Sequence, residues 1–182
     1  MAIIDYQHLL NNLLTVKEAK ELLETTLGHI RYAIKFHDFY NESNKSKCNL
    51  SIKAIAFLNC ELVETSMVLI EGHLDKRGYR VINVKHPTLI KNYGKSVKKY
   101  ARLNDKEQKE VDSSLAYLVQ LNRMRNRLIH KEYKNTTEQA RIENDLVLYL
   151  KDSSRLLALM NLLLKYHSDR IKEDNLNSMK AF

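Results

Sequence analysis

The sequence is poor in residues that interrupt regular structure and in residues that build disulfide-stabilised folds. Its 182 residues include four glycines, one proline, two cysteines and no tryptophan. So few chain-breaking residues exclude long flexible linkers and favour a chain dominated by helices. The length suits one core, so we predict a single domain over residues 1–182, with a polar, frayed end from about residue 172.

Several classes of protein lack support in this sequence. No apolar run approaches the length of a bilayer span, and the first residues, MAIIDYQHLL, lack the segments of a secretory signal. The cysteines, Cys48 and Cys60, have no CxxC or Cys/His spacing, and the histidines form no HxxxH or HExxH pair. We therefore expect a cytoplasmic protein with no membrane partner, no metal site and no cofactor.

The spacing of apolar residues and of helix start signals predicts an all-α helical bundle of about five to six helices. The predicted helices cover residues 3–14, 16–40, 51–76, 87–102, 105–133 and 137–173. Their start signals are Thr15 with Glu18, Asn104 with Glu107, Thr136 with Gln139, and Pro87 in a first turn. Gly28 could bend or split one helix, and residues 78–86 could hold a short strand.

A positive charge surplus allows a polyanionic partner. Thirty Lys and Arg against 22 Asp and Glu give a formal charge of +8, which suits nucleic acid but also serves solubility. Part of the surplus falls on the helix after Pro87, where four basic residues lie within about 60° of each other. These residues are Lys91, Lys95, Lys98 and Arg102. This basic stripe either tracks a phosphate backbone or is a solvated face above a packed one.

The hexapeptide RNRLIH at 125–130 brings an arginine, an amide and a histidine within two turns of one predicted helix. A histidine can transfer protons near neutral pH, and an arginine can bind phosphate through two parallel hydrogen bonds. An asparagine can orient the imidazole or a ribose hydroxyl. Arg125, Asn126 and His130 are therefore candidate catalytic residues for metal-free cleavage of RNA. Arg123 and Arg127 beside them are candidate RNA-binding residues.

The position of Arg125 is unusual because it lies in the middle of the apolar arc of its helix. A buried guanidinium needs an anionic partner, and Glu61 and Glu64 on the apolar helix 51–76 are candidates. Arg125 and His130 are about 140° apart on a straight helix. A distorted helix, a bent arginine side chain or a second copy of the chain must bring them together, and the last alternative predicts a two-fold dimer.

The motif RNRLIH resembles the R-polar-x3-to-5-H motif of HEPN domains, helical bundles of prokaryotic toxin–antitoxin, CRISPR-associated and phage-defence ribonucleases. Over the rest of the chain the likeness is one of architecture. By position, Arg125 matches the motif arginine, Asn126 the polar residue and His130 the histidine. The resemblance implies a homodimer whose paired motifs form a metal-independent endoribonuclease site for RNA, with an antitoxin or regulatory protein as a further partner.

Three functional interpretations follow. The first interpretation is a ribonuclease. In it, we expect His130 to exchange a proton with the ribose 2′-hydroxyl or the leaving oxygen, while Arg125 stabilises the phosphorane. Asn126 would orient the nucleophile or His130. A second interpretation is a non-catalytic HEPN-like module that binds nucleic acid, a nucleotide or a protein through Arg125 and His130. The third is a helical interaction module in which the motif match is accidental.

Overall fold

The structure is a computed structural model that describes residues 16–40, 45–132 and 134–179. These residues form six α-helices: α1 (Val16–Tyr40), α2 (Lys45–Lys76), α3 (His86–Ala101), α4 (Asp105–Ile129), α5 (Thr136–Lys151) and α6 (Ser153–Met179). No strand occurs in these three segments, so the connection 78–86 is irregular rather than extended. The predicted all-α bundle is confirmed. The predicted helix 3–14 lies outside the described residues.

Two helix starts in the middle of the chain agree with their sequence signals. The Asn104 side chain accepts a hydrogen bond from the Glu107 backbone at 3.0 Å, and the Glu107 carboxylate accepts one from the Asn104 backbone at 2.9 Å. This reciprocal arrangement is the predicted capping box of α4. Pro87 lies in the first turn of α3. Both signals act within four residues, so a sequence pattern is sufficient to find them.

Several boundaries differ from the predicted ones. Helix α2 begins at Lys45, before the expected residue 51, and α1 runs through Gly28 without a break. At the start of α5, the side chain that accepts the Glu138 amide belongs to Asn135, at 2.9 Å, so the cap is one residue earlier than the predicted Thr136. Here two adjacent polar residues compete for the same role, and asparagine is the stronger N-cap.

The predicted helix 137–173 is in fact two helices that meet at Asp152. Asp152 leaves the helical conformation with φ −71° and ψ 77°, and its carboxylate accepts hydrogen bonds from the Arg155 backbone N–H at 3.3 Å and from the Ser154 hydroxyl at 2.6 Å. The side chain thereby starts α6, as an aspartate before a helix commonly does. No proline or glycine marks this break, and apolar residues with helical spacing continue on both sides of it.

Helix α2 is the central element, because it packs against each of the other five described helices. One hydrophobic cluster takes side chains from all six helices, and its fully buried members include Leu62 and Ile70 of α2, Tyr93 of α3 and Leu118 of α4. None of the described helices combines the length and the apolar character that a bilayer span requires. The polar side chains that α2 buries in its helix contacts need hydrogen-bond partners.

Two helical glycines give a matched stability test of this packing. A Cβ at Gly28 would meet nothing within 4 Å, whereas a Cβ at Gly94 would lie 2.9 Å from Leu115 Cδ1. We expect Gly28→Ala to raise the free energy of unfolding by about 0.5–1 kcal/mol, because alanine loses less backbone entropy in a helix. Gly94→Ala should lose most of that gain because the buried Leu115 side chain must move away from the added Cβ. Urea unfolding measures both, and equal stabilisation would contradict the close approach at Gly94.

Candidate functional site

Arg125 lies half-buried between α4 and α2 and joins them through its guanidinium group. One terminal nitrogen donates to Glu64 Oε1, and the other donates to Asn126 Oδ1 at 3.0 Å. The Arg125 and Glu64 side chains are 20% and 22% exposed. Arg125 Nε is buried, and no described residue accepts its hydrogen. Glu64 is therefore the anionic partner that the apolar position of Arg125 predicts, and Asn126 fixes the plane of the guanidinium.

Polar side chains continue from this ion pair along the contact between α2 and α4. Cys60 lies one turn before Glu64, and burial raises the pKa of its thiol, while the nearby Arg125 opposes that shift. In the other direction, His86 Nδ1 lies 3.2 Å from Asn122 Oδ1. We call this line the polar seam; its members are Cys60, Glu64 and Glu71 of α2, His86 of α3, and Asn122, Arg125 and Asn126 of α4.

Glu71 connects the two ends of the polar seam electrostatically. Burial raises the pKa of the Glu71 carboxyl, the neighbouring His86 opposes this shift, and the carboxylate of Glu64 adds to it. Asn122 is 3% exposed, whereas the other six members are half-buried. The seam is therefore a polar strip that borders solvent and not a sealed network inside the core.

Four members of the polar seam were missed by the sequence analysis: Cys60, Glu71, His86 and Asn122. The spacing of Cys60 and Glu64 by four residues places them on one helix face, and this is a usable local signal. His86 and Asn122 are 36 residues apart in the chain. The periodicity of apolar residues cannot predict a contact at that separation, because the contact depends on how α3 and α4 pack.

His130 lies at the end of α4, outside its last helical turn. Its backbone N–H donates to the Asn126 carbonyl at 2.9 Å, and the Glu132 N–H donates to the Arg127 carbonyl at 2.9 Å. Lys131, between them, has φ 52°. This is a Schellman ending, in which a left-handed residue stops the helix. The predicted extension of this helix to residue 133 is wrong, because a lysine takes the position that usually belongs to glycine.

Within one chain, the structure brings Arg125 and Asn126 together and does not bring His130 to them. Helix α4 is continuous from Asp105 to Ile129, so the side chains of Arg125 and His130 leave it about 140° apart. Arg125 turns toward Glu64, while the His130 ring is exposed and makes no hydrogen bond with the described residues. The Asn126 side chain accepts a hydrogen bond from the Arg125 guanidinium, and the Asn126 backbone carbonyl accepts one from the His130 N–H.

The two other basic residues of the motif region differ in their surroundings. Arg127 forms an ion pair with Glu138 of α5, and the second Glu138 oxygen accepts the Lys134 N–H at 2.8 Å. The Lys134 N–H, and then the positive charge of Arg127, lower the pKa of the Glu138 carboxyl. Arg123 is exposed. Arg127 therefore holds the corner between α4 and α5, while Arg123 points into solvent.

The predicted basic stripe is shorter than the sequence suggests. Lys91 and Lys95 are exposed on α3, but Lys98 forms an ion pair with Asp112 of α4 at 2.6 Å. Arg102 lies beyond the end of α3, where it is the C-cap residue with φ 48°. Lys91 and Lys95 therefore form the exposed part of the stripe that remains on α3.

The part of the chain that the structure describes contains no group of three or more His, Cys, Asp or Glu side chains arranged to hold a metal ion. No protein-family model matches the chain, and no curated protein or solved structure matches it.

The ion pair between Arg125 and Glu64 should contribute measurably to stability. We expect Glu64→Ala to lower the free energy of unfolding by about 1–3 kcal/mol, because it leaves a largely buried guanidinium without its anion. Glu64→Gln should cost less, since an amide oxygen can still accept the hydrogen bond. Glu61→Ala on the same helix is the matched control. Chemical denaturation measures all three, and equal losses for Glu61→Ala and Glu64→Ala would contradict a specific pair.

Proposed function

We propose that the protein is a HEPN-like, metal-independent endoribonuclease that acts in the cytoplasm as a toxin or defence effector. The observation that carries this proposal is the half-buried arginine of the RNRLIH motif, held by Glu64 and Asn126 one turn from an exposed histidine. A guanidinium held in this way is oriented before a phosphate arrives. The His130 imidazole is exposed to a substrate, and it leaves α4 about 140° from Arg125.

The proposed reaction is transesterification by the RNA itself. The ribose 2′-oxygen attacks the adjacent phosphorus, the bond from phosphorus to the 5′-oxygen breaks, and a 2′,3′-cyclic phosphate and a 5′-hydroxyl remain. The His130 imidazole exchanges a proton with the 2′-hydroxyl or with the leaving oxygen. Arg125 stabilises the negative charge that gathers on the phosphorane. Asn126 keeps the guanidinium in its plane.

A homodimer supplies the arrangement that one chain lacks. The side chains of Arg125 and His130 point in different directions from α4. A phosphate bound by Arg125 of one copy is therefore more accessible to His130 of the partner subunit than to His130 of the same chain. A two-fold axis would form two such composite sites, or one shared cleft with both motifs. An antitoxin or regulatory protein that covers this cleft would restrain the activity.

One observation favours a second candidate function. Both terminal nitrogens of Arg125 are already engaged by Glu64 and Asn126. An arginine so occupied also fits a non-catalytic HEPN-like module, in which Arg125 stabilises the fold and exposed residues such as Arg123 and His130 bind nucleic acid, a nucleotide or a protein. This candidate predicts unchanged ligand affinity in an Arg125→Lys protein that remains folded.

The ribonuclease proposal is tested with purified protein, a mixed-sequence RNA and a chelator. We expect cuts that persist in the chelator and leave cyclic-phosphate ends, with a rate that falls by about 100-fold or more in His130→Ala. Substrates with 2′-deoxyribose at the cleavage position should not be cut. Gel mapping of the ends and treatment with a cyclic phosphodiesterase measure these outcomes.

The matched control for that test is His29→Ala, which removes another exposed histidine from α1. Its cleavage rate should equal that of the wild type. Cleavage by His130→Ala at the wild-type rate would contradict the proposed role of His130. Absence of cleavage by folded wild-type protein across varied RNAs would favour the non-catalytic candidate.

The exposed part of the basic stripe predicts a salt-dependent contribution to RNA binding. We expect the double variant Lys91→Gln/Lys95→Gln to bind single-stranded RNA more weakly and to reduce the slope of log K against log salt by about 1.4, since each lost phosphate contact removes about 0.7. The control, Lys35→Gln/Lys53→Gln, removes the same charge from exposed positions on α1 and α2. Identical slopes for the two double variants would show that the basic stripe is a solvated surface without a specific role in RNA binding.

A further inference from the structure

His86 is a second histidine beside the motif, and it shares the polar seam with Arg125. It is the first residue of α3, and its Nδ1 lies 3.2 Å from Asn122 Oδ1. Asn122 precedes Arg125 by three residues on α4, so their Cβ atoms are about 5–6 Å apart. His86 therefore contacts α4 three residues before Arg125. On the helix, Asn122 projects between the directions of Arg125 and His130, about 60° from the first and about 80° from the second.

The contact with Asn122 involves Nδ1 of the His86 ring. An amide oxygen accepts hydrogen, so Nδ1 is the donor; in the neutral tautomer that makes this bond, Nε2 carries the lone pair. Nε2 has no hydrogen-bond partner among the described residues, and it is not among the buried polar atoms that lack one. The half-buried imidazole thus presents a proton-accepting nitrogen at the surface.

Opposing electrostatic effects act on a positive charge at His86. His86 is the first residue of α3, and the positive end of the helix dipole opposes such a charge. The Glu71 carboxylate of α2 attracts it, while Asn122 of α4, which lies at Nδ1, carries no charge. Glu71 is therefore the acidic group that favours proton uptake by this ring.

We infer that His86 is a catalytic residue of the proposed ribonuclease site, in which its Nε2 accepts the proton of the ribose 2′-hydroxyl. The 2′-oxygen then bonds to phosphorus, the bond to the 5′-oxygen breaks, and His130 of the partner subunit gives a proton to that oxygen. Arg125 stabilises the phosphorane between them. Glu71 is a positioning residue that acts through His86. This inference rests on the proposed function and assigns the base and the acid to different histidines.

The test compares wild-type protein, His86→Gln and the control His29→Gln in single-turnover cleavage of RNA. Glutamine at position 86 can still hydrogen-bond to Asn122 but cannot accept a proton at neutral pH. We expect kcat to fall by about 100-fold or more in His86→Gln with little change in KM. His29→Gln should cleave at the wild-type rate. Thermal unfolding of each variant establishes that the comparison is between folded proteins.

A chemical rescue separates catalysis from a structural role. Added imidazole should restore cleavage by His86→Ala in a concentration-dependent way, because a free base can replace the missing ring. A residue that merely supports the fold gives no such response. If His86→Gln does not fold, Glu71→Gln is the variant to measure. Its kcat should fall by less than the fall expected for His86→Gln, and its KM should stay unchanged. An unchanged kcat in Glu71→Gln would then overturn the inference.

The remaining outcomes are distinguishable from one another. Wild-type cleavage that His130→Ala abolishes and folded His86→Gln retains would overturn the role of His86 and leave the ribonuclease proposal intact. No cleavage by the wild type would overturn both. Loss of cleavage in His86→Ala without imidazole rescue, together with a lower unfolding temperature, would make His86 a structural residue of the polar seam.

Discussion

The central position of α2 constrains the rest of the structure. This helix contacts the five other described helices, so the polar side chains that it buries in these contacts must find partners. Asn59 is fully buried and donates to the Leu121 carbonyl at 3.1 Å, and Glu64 pairs with Arg125. These contacts set where α4 lies along α2. The polar seam is thus a consequence of packing as well as a candidate site.

The same ion pair that orients Arg125 also competes for it. A phosphate that approaches the guanidinium meets a group already bound by a carboxylate, so the anion must either displace Glu64 or share the arginine with it. The ion pair fixes the orientation of the guanidinium, and it also weakens the attraction of Arg125 for any single anion. Such a site favours a polyanion that is also held at other points, as RNA would be by exposed basic residues.

Much of the fold could be predicted from local patterns, and the parts that could not depend on packing or on unusual residues. The capping box at Asn104 and the first-turn Pro87 are local, and both were found. The anionic partner of Arg125 followed from its apolar position, since a guanidinium cannot be buried alone. The end of α4 was missed because Lys131 is left-handed without being glycine. His86 was missed because only the tertiary arrangement of α3 and α4 places it beside Asn122.

The corner between α4 and α5 depends on one carboxylate. Glu138 accepts from Arg127 through one oxygen and from the Lys134 backbone N–H through the other, and the segment between these two partners carries His130. Loss of this single side chain would remove both contacts together. The path of the chain from α4 to α5 therefore depends on a residue that belongs to neither α4 nor the connection itself.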